Sequence, residues 1–292
     1  MSSSDKPRIA CELTPERVIA ARAADSGAVE TVSARSLPAG SLAPGLATPN
    51  VANTGALHEA ISDSLAAVGS RSRDVIVVVP DAAVRIVLLD FEELPERRQD
   101  ADSVVRFRLK KSLSFEVDDA ALSYDVRRSN GAIKVIAAVA PSGVREEDES
   151  LFRDAGFSPG VVLPSMLASL GAVEASAPTL ALKVDLGSTS VAIVQGEDLL
   201  LYRTLENAHG ARLDAVALAD DIYSSLVFFQ DNYGMKVERI LLAGLASTQE
   251  IGPALESQTG ARVGDLVSAS QTGGQSGLAP ALLAGVVGAL LG

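Results

Sequence analysis

Two short stretches far apart in the chain share one plan, and that duplication limits what the chain can fold into. The clearer is Asp185-Leu186-Gly187-Ser188-Thr189-Ser190-Val191, set between the apolar runs 180–184 and 191–194. An apolar run, a tight glycine-containing turn and a second apolar run read as a strand, a turn and a returning strand. Backbone N–H groups of such a turn converge on a nest that holds anions. Ser188 and Thr189 add hydroxyl donors, and Asp185 at the strand end suits a hydrated Mg²⁺. Setting Glu12 against Asp185 places Leu13 on Leu186, Thr14 on Gly187, Pro15 on Ser188, Glu16 on Thr189 and Val18 on Val191. The stretch 8–22 therefore reads as an altered copy of the same turn.

Around these turns the chain alternates strands and helices. Short strands fill 9–35, with turns at Thr14-Pro15 and Ser26-Gly27, and 36–54 is a loop rich in Pro, Gly, Ala and Ser. Leu57, Ile61, Leu65 and Val68 share one helical face, followed by strands at 75–79 and 84–89. A helix is expected over 100–113 and a hairpin over 121–127 and 133–139, turning at Ser129-Asn130-Gly131. A helix over 146–155, a strand over 157–163 and a helix from Pro164 to about 175 close the first half. The second half restarts at 179 with the Asp185 hairpin and a third strand at 199–204. It continues with a helix over 213–232 (Val216, Ile222, Leu226 and Phe229 inward), a strand at 239–243 running into Gly244-Leu245-Ala246-Ser247, a short helix and strand-like 261–263. The apolar stretch 278–291 is broken by Pro280, Gly285 and Gly288 and falls short of the ~20 residues that span a bilayer, so a buried helix is expected. The pattern is α/β throughout, with two similar domains related by duplication.

Composition excludes several classes of function. A net charge of -12 argues against nucleic acid or an anionic membrane as a direct partner. The single Cys11 allows no internal disulfide, and His58 and His209 offer no metal-ligand spacing, so the expected compartment is the cytoplasm. No leader pattern is read at the start of the chain.

The middle of the chain carries a family resemblance. Its pieces are Glu93-Leu94-Pro95-Glu96, Val104-Val105-Arg106-Phe107, Leu113-Ser114-Phe115-Glu116-Val117-Asp118-Asp119 and Leu122-Ser123-Tyr124-Asp125-Val126. They are followed by Ala137-Ala138-Val139-Ala140-Pro141, Asp154-Ala155-Gly156-Phe157, Asp221-Ile222-Tyr223-Ser224-Ser225-Leu226 and Ile240-Leu241-Leu242-Ala243-Gly244. In this order, from about 9 to 285, the chain resembles the type IV pilus assembly protein PilM, an actin-like family related to FtsA and to the GspL cytoplasmic domain. The resemblance implies duplicated actin-like (ribonuclease H-type) domains. The first would span 1–177, with a small α/β subdomain inserted at about 80–140, and the second, shortened, would span 178–292. It implies a scaffold that binds the N-terminal cytoplasmic tail of a PilN-like inner-membrane protein. That tail would lie in a groove between the 9–35 sheet and the 84–124 insert, with the membrane reached only through that partner. A homo-oligomer stays open.

ATP and Mg²⁺ are the cofactors the resemblance implies. Their binding residues would be Asp185, Gly187, Ser188, Thr189, Gly244 and Ala246, with Asp185 on the metal. Departures from the family weaken that implication. Where PilM-like proteins have an Asp-Ile-Gly-Ser turn, Glu12-Leu13-Thr14-Pro15 stands here, and Thr14 closes off positive φ while Pro15 removes a backbone donor. The family's Gly-Gly-Gly-Ala turn is Gly244-Leu245-Ala246-Ser247, and the short stretch around Asn207-Ala208-His209-Gly210 implies that a peripheral subdomain is missing. Glu12 reads either as a stand-in for a catalytic Asp or as a surface or structural acid. Arg106, Arg108, Lys110 and Lys111 read either as a docking face for an acidic partner or as the solvated face of an amphipathic helix. Two further readings remain beside the scaffold: a working Mg-ATP-dependent ATPase or kinase-like enzyme, and a GspL-like type II secretion component.

Overall fold

The computed structural model describes residues 6–69, 72–129, 131–206, 215–245, 248–249, 251–272 and 277–292. Strands β1 (Ile9–Leu13), β2 (Arg17–Ala23) and β3 (Val29–Ser36) form an antiparallel meander. After helix α1 (Thr54–Val68), strand β4 (Asp74–Val79) joins β1 in parallel. The chain then leaves this sheet to build β5 (Arg85–Phe91), α2 (Arg98–Leu109), β6 (Ala121–Ser129) and β7 (Ala132–Ala140), a three-stranded antiparallel sheet backed by one helix. Helix α3 (Ser142–Asp154) leads back to β8 (Ser158–Pro164), which pairs in parallel with β4, and α4 (Ser165–Leu170) follows.

The second half repeats the first without the excursion. Its elements are β9 (Thr179–Asp185), β10 (Ser188–Gln195), β11 (Asp198–Glu206), α5 (Ala215–Tyr233), β12 (Arg239–Ala243), α6 (Gly252–Thr259), β13 (Arg262–Asp265) and α7 (Ala284–Leu291). The two five-stranded sheets have the orders β3-β2-β1-β4-β8 and β11-β10-β9-β12-β13, so β9 stands where β1 does and β12 where β4 does.

Layering follows from which face of each strand is apolar. Cys11, Val18, Val75 and Val77 pack outward under α1 and α3, and Leu180, Leu182, Val191 and Leu242 pack outward under α5 and α6. The opposite faces, with Ala10, Ile76, Ala181 and Leu241 among them, meet α4 and α7 in one core shared by both halves. Small residues on these inner faces let the two helices approach closely. A Cβ at Gly288 would collide with the Ala168 carbonyl, and one at Gly171 with the Gly288 carbonyl. Helix α7 comes from the end of the second half but lies against β1, β2, β4 and α4 of the first.

Helix α1 begins at the cap Asn53, whose side chain accepts from the Ala56 N–H at 3.0 Å, and it buries Leu57, Ile61, Leu65 and Val68 as their spacing dictates. Three expectations need correction. Helix α4 ends at Leu170 rather than near 175, because Gly171 follows and the next N–H groups make tight turn bonds back to Ala168 and Ser169. Helix α3 begins four residues earlier than expected, at Ser142. On α5 the buried face is Leu218, Ala219, Ile222, Ser225 and Phe229, while Val216 is half exposed. Six residues separate Val216 from Ile222, which at about 100° per residue places them on different faces. The apolar end of the chain is the expected buried helix, and among the described residues no helix is long and apolar enough to cross a membrane.

Candidate functional site

Ladder register decides which residues of the two halves correspond. In the first sheet Ala10, Cys11 and Glu12 stand beside Ile76, Val77 and Val78; in the second Ala181, Leu182 and Lys183 stand beside Leu241, Leu242 and Ala243. The hairpins agree. Leu13 faces Val18, with Thr14 and Arg17 bonded beyond them at 3.0 Å; Val184 faces Thr189, with Asp185 and Ser188 beyond. Glu12 therefore corresponds to Lys183, Thr14 to Asp185, and the tip Pro15-Glu16 to Leu186-Gly187. This shifts the sequence comparison by two residues. That comparison matched acid to acid across the turns, whereas the shared inner strands fix the count.

Glu12 and Lys183 meet where the halves meet. Both side chains are buried, and the Lys183 ammonium lies 3.4 Å from Glu12 Oε1 and 2.7 Å from each oxygen of Asp185. The Ser165 hydroxyl, at the start of α4, donates to Glu12 Oε1. Glu12 Oε2 has no hydrogen-bond partner and lies so close to Gly285 in the first turn of α7 that a Cβ there would collide with it. A second buried acid, Asp81, follows β4. It accepts from the Met166 N–H at 2.9 and 3.1 Å, which caps α4, and from the Tyr202 hydroxyl of β11 at 3.1 Å.

Electrostatics follow from burial and these partners. Burial pushes Glu12 and Asp81 above the usual carboxylate range, opposed in both by the nearby Lys183 ammonium. Burial alone would lower Lys183, but Asp185, Glu12 and Asp81 together outweigh it and hold the ammonium protonated above its ordinary value. Glu12 is thus neither on the surface nor in the turn, but inside β1 as one side of a buried ion pair. Cys11 is buried beside it, and burial followed by the Glu12 charge pushes its thiol up, away from reactivity.

The other residues singled out from sequence are scattered in role. Gly187 takes a positive φ of 137° at the hairpin tip, beside the exposed Leu186. Ser188 and Thr189 are buried in β10, and Thr189 Oγ1 has no partner there. Gly244 has a reason to be glycine that needs no ligand, because a Cβ at its φ of 81° would strike the Val184 carbonyl of β9. Ala246, Ser247, Asn130 and His209 lie outside the described residues. His58 is exposed on α1, 3.3 Å from the Asp154 carbonyl. Lys183, Asp81, Tyr202 and Ser165 were missed by sequence reasoning. The available signal for two of the cleft residues was a lone charge inside an all-apolar central strand: Lys183 in Leu180-Ala181-Leu182-Lys183-Val184, and Glu12 in Ile9-Ala10-Cys11-Glu12-Leu13.

These residues do not fit a Mg²⁺-nucleotide. Both Asp185 oxygens are bonded to Lys183, the opposite hairpin tip offers Pro15 and a Glu16 carboxylate, and Leu245 fills the glycine-type turn. The remaining cavity, about 140 Å³ and lined by Glu12, Glu16, Asp185 and Leu245 among others, is smaller than the roughly 300–1,000 Å³ of ordinary ligand sites. Among the described residues no group of three or more His, Cys, Asp or Glu side chains could hold a metal ion.

A larger concavity, about 370 Å³, lies away from the cleft. Leu122 and Ser123 of β6, Ala138 of β7, Arg145 of α3, and Val162 and Pro164 of β8 line it. Both β6 and β8 are edge strands of their sheets. On the sheet side this concavity is lined by β8 and the end of β4, and none of its lining residues falls in the 9–35 sheet expected to wall a peptide groove; the excursion leaves after β4 and the chain returns to β8, and so hangs beside that edge.

No family model matches the sequence, and no curated protein matches it. Solved structures do match. A chain of the PilM-PilN type IV pilus biogenesis complex superposes with a TM-score of 0.80 at 19% identity, over 98% of this chain and 98% of that one. A Bacteroides thetaiotaomicron protein described as having an actin-like ATPase fold and unknown function superposes with a TM-score of 0.53 at 9% identity, over 90% of this chain and 93% of that one. The chain has the actin-like ATPase fold. Within that fold the cytoplasmic domain of EpsL, an inner-membrane component of the Vibrio cholerae type II secretion system, is a more distant likeness, with a TM-score of 0.51 at 15% identity over 90% and 98% of the two chains. In actin-like terms the cleft between the halves is the place held here by Glu12 and Lys183, and the β5–β7 unit is an excursion from the first half.

Proposed function

We propose that the chain is a PilM-like scaffold of a type IV pilus or related secretion assembly, and that it holds the N-terminal cytoplasmic tail of a PilN-like membrane protein. The observation that carries this reading is the groove between β6 and β8, bounded by two open strand edges and apolar side chains. An extended peptide can add to such an edge through its backbone and seat alternate side chains in the apolar pockets. The superposition on a chain of the PilM-PilN complex over nearly the whole length, the excursion included, supports the same reading. Here the chain is divided at about 177/178, acts in the cytoplasm and reaches the inner membrane through its partner. It does not turn over ATP, since the cleft residues do not fit Mg²⁺-nucleotide.

The test is a fluorescence-polarisation titration with synthetic peptides from the N-termini of membrane proteins encoded beside this chain. One peptide should bind, and Ser123→Arg, which places a charge in the groove at an exposed position, should abolish binding without lowering the melting temperature. Absence of binding by every such peptide overturns the reading. The likeness to the EpsL cytoplasmic domain favours a GspL-like role as the second scaffold reading, and peptides from secretion-system partners separate the two.

A further inference from the structure

The cleft that separates the halves of this fold contains a cation that belongs to the chain. Lys183 projects from the central strand β9 of one half, and its mate by ladder register, Glu12, projects from the central strand β1 of the other. The ammonium lies between the Glu12 carboxylate at 3.4 Å and Asp185 at 2.7 Å, with the lysine side chain 3% exposed. We propose that the Lys183 ammonium is a built-in counter-ion that clasps the two halves in one closed arrangement, independent of nucleotide or metal.

Several observations support this beyond the one contact. The acids that face the ammonium come from both halves, Glu12 and Asp81 from the first and Asp185 from the second, so the one cation that pairs with Asp185 inside its own half also serves buried acids of the other. A second buried bond crosses the same boundary, from the Tyr202 hydroxyl to Asp81 at 3.1 Å. Opening the cleft would strip Glu12 and Asp81 of these partners, and an unpaired buried charge is costly. A diffusible divalent cation would act only above its dissociation constant, whereas a tethered ammonium is present at every ligand concentration. It also competes for the Asp185 carboxylate that a metal would need. The inference concerns the cleft and stands apart from the peptide groove, so either can fail alone.

The experiment is a distance measurement across the cleft by pulsed electron paramagnetic resonance. Spin labels go on Glu59→Cys of α1 and Tyr223→Cys of α5, both exposed; the native Cys11 is buried and is left unlabelled. The expected result is a single narrow distance peak, identical with and without millimolar Mg·ATP. In Lys183→Met the narrow peak is lost, while Lys183→Arg retains it. Should Lys183→Met fail to fold, the near-isosteric Glu12→Gln carries the same expectation, since it removes the cross-half carboxylate that is paired with the ammonium and leaves the Lys183–Asp185 pair. A shift of the native peak on adding Mg·ATP overturns the proposal. An unchanged narrow peak in folded Lys183→Met or Glu12→Gln overturns it equally.

Discussion

Asp148 is buried in α3 between Glu147 and Glu149, and burial, followed by those two charges, pushes its carboxyl up to about 7. Folding therefore takes up a proton between pH 4 and 7, and stability falls as pH rises through that window. The contribution is bounded by about 4 kcal/mol, the equivalent of a shift from 3.8 to about 7. Urea unfolding from pH 5 to 8 should show a higher midpoint at pH 5, and Asp148→Asn should flatten the profile and raise the midpoint at pH 8. Some slope remains in the variant, because Glu12 and Asp81 are raised in the same direction. At this scale the sequence was legible where a residue obeyed a local rule. Leu57, Ile61 and Leu65 announce their burial by spacing alone. Glu12 and Lys183 do not, because they meet each other only across the boundary between the halves, and no local pattern encodes that pairing.

Among the elements, the crossing of α4 and α7 tolerates least change. Gly288→Ala places a Cβ against the Ala168 carbonyl, a backbone atom that cannot turn aside. The helix propensity gained from alanine, up to about 1 kcal/mol, is outweighed by overpacking of about 1–3 kcal/mol or more, so a fall in melting temperature is expected. Gly264→Ala in β13, where a Cβ meets nothing within 4 Å, is the matched control and should leave the melt unchanged. Most elements were legible because their periodicity is strong, the hairpins and α1 above all. The end of α4 and the facing of Val216 were not, since a glycine contact with another helix and a rotation about the α5 axis decide them.

For the molecule as a whole, the arrangement of the cleft predicts that calorimetric titration with Mg·ATP gives no binding tighter than ~100 μM, an affinity that would correspond to roughly 5 kcal/mol. Asp185→Ala should instead lower thermal stability, because it strips Lys183 of its nearest counter-ion. The duplicated plan was legible at this scale from two similar turns, and the order of the β5–β7 unit pointed to the fold. The state of the cleft was not legible, since the Asp185 of an apparent phosphate turn is bonded through both oxygens to Lys183, a residue that the turn pattern does not include.

Helix α7 covers the inner faces of β1, β2 and β4, although the ribosome makes it more than a hundred residues after β8. At synthesis rates of about 5–20 residues per second, that inner face waits on the order of ten seconds for its cover. During that interval Ala10, Ile19, Ile76 and Val78 lack a native partner in α7, so the first half cannot mature as an independent unit on the nascent chain. Chaperone occupancy during translation should accordingly persist until the last turn of α7 has left the exit tunnel.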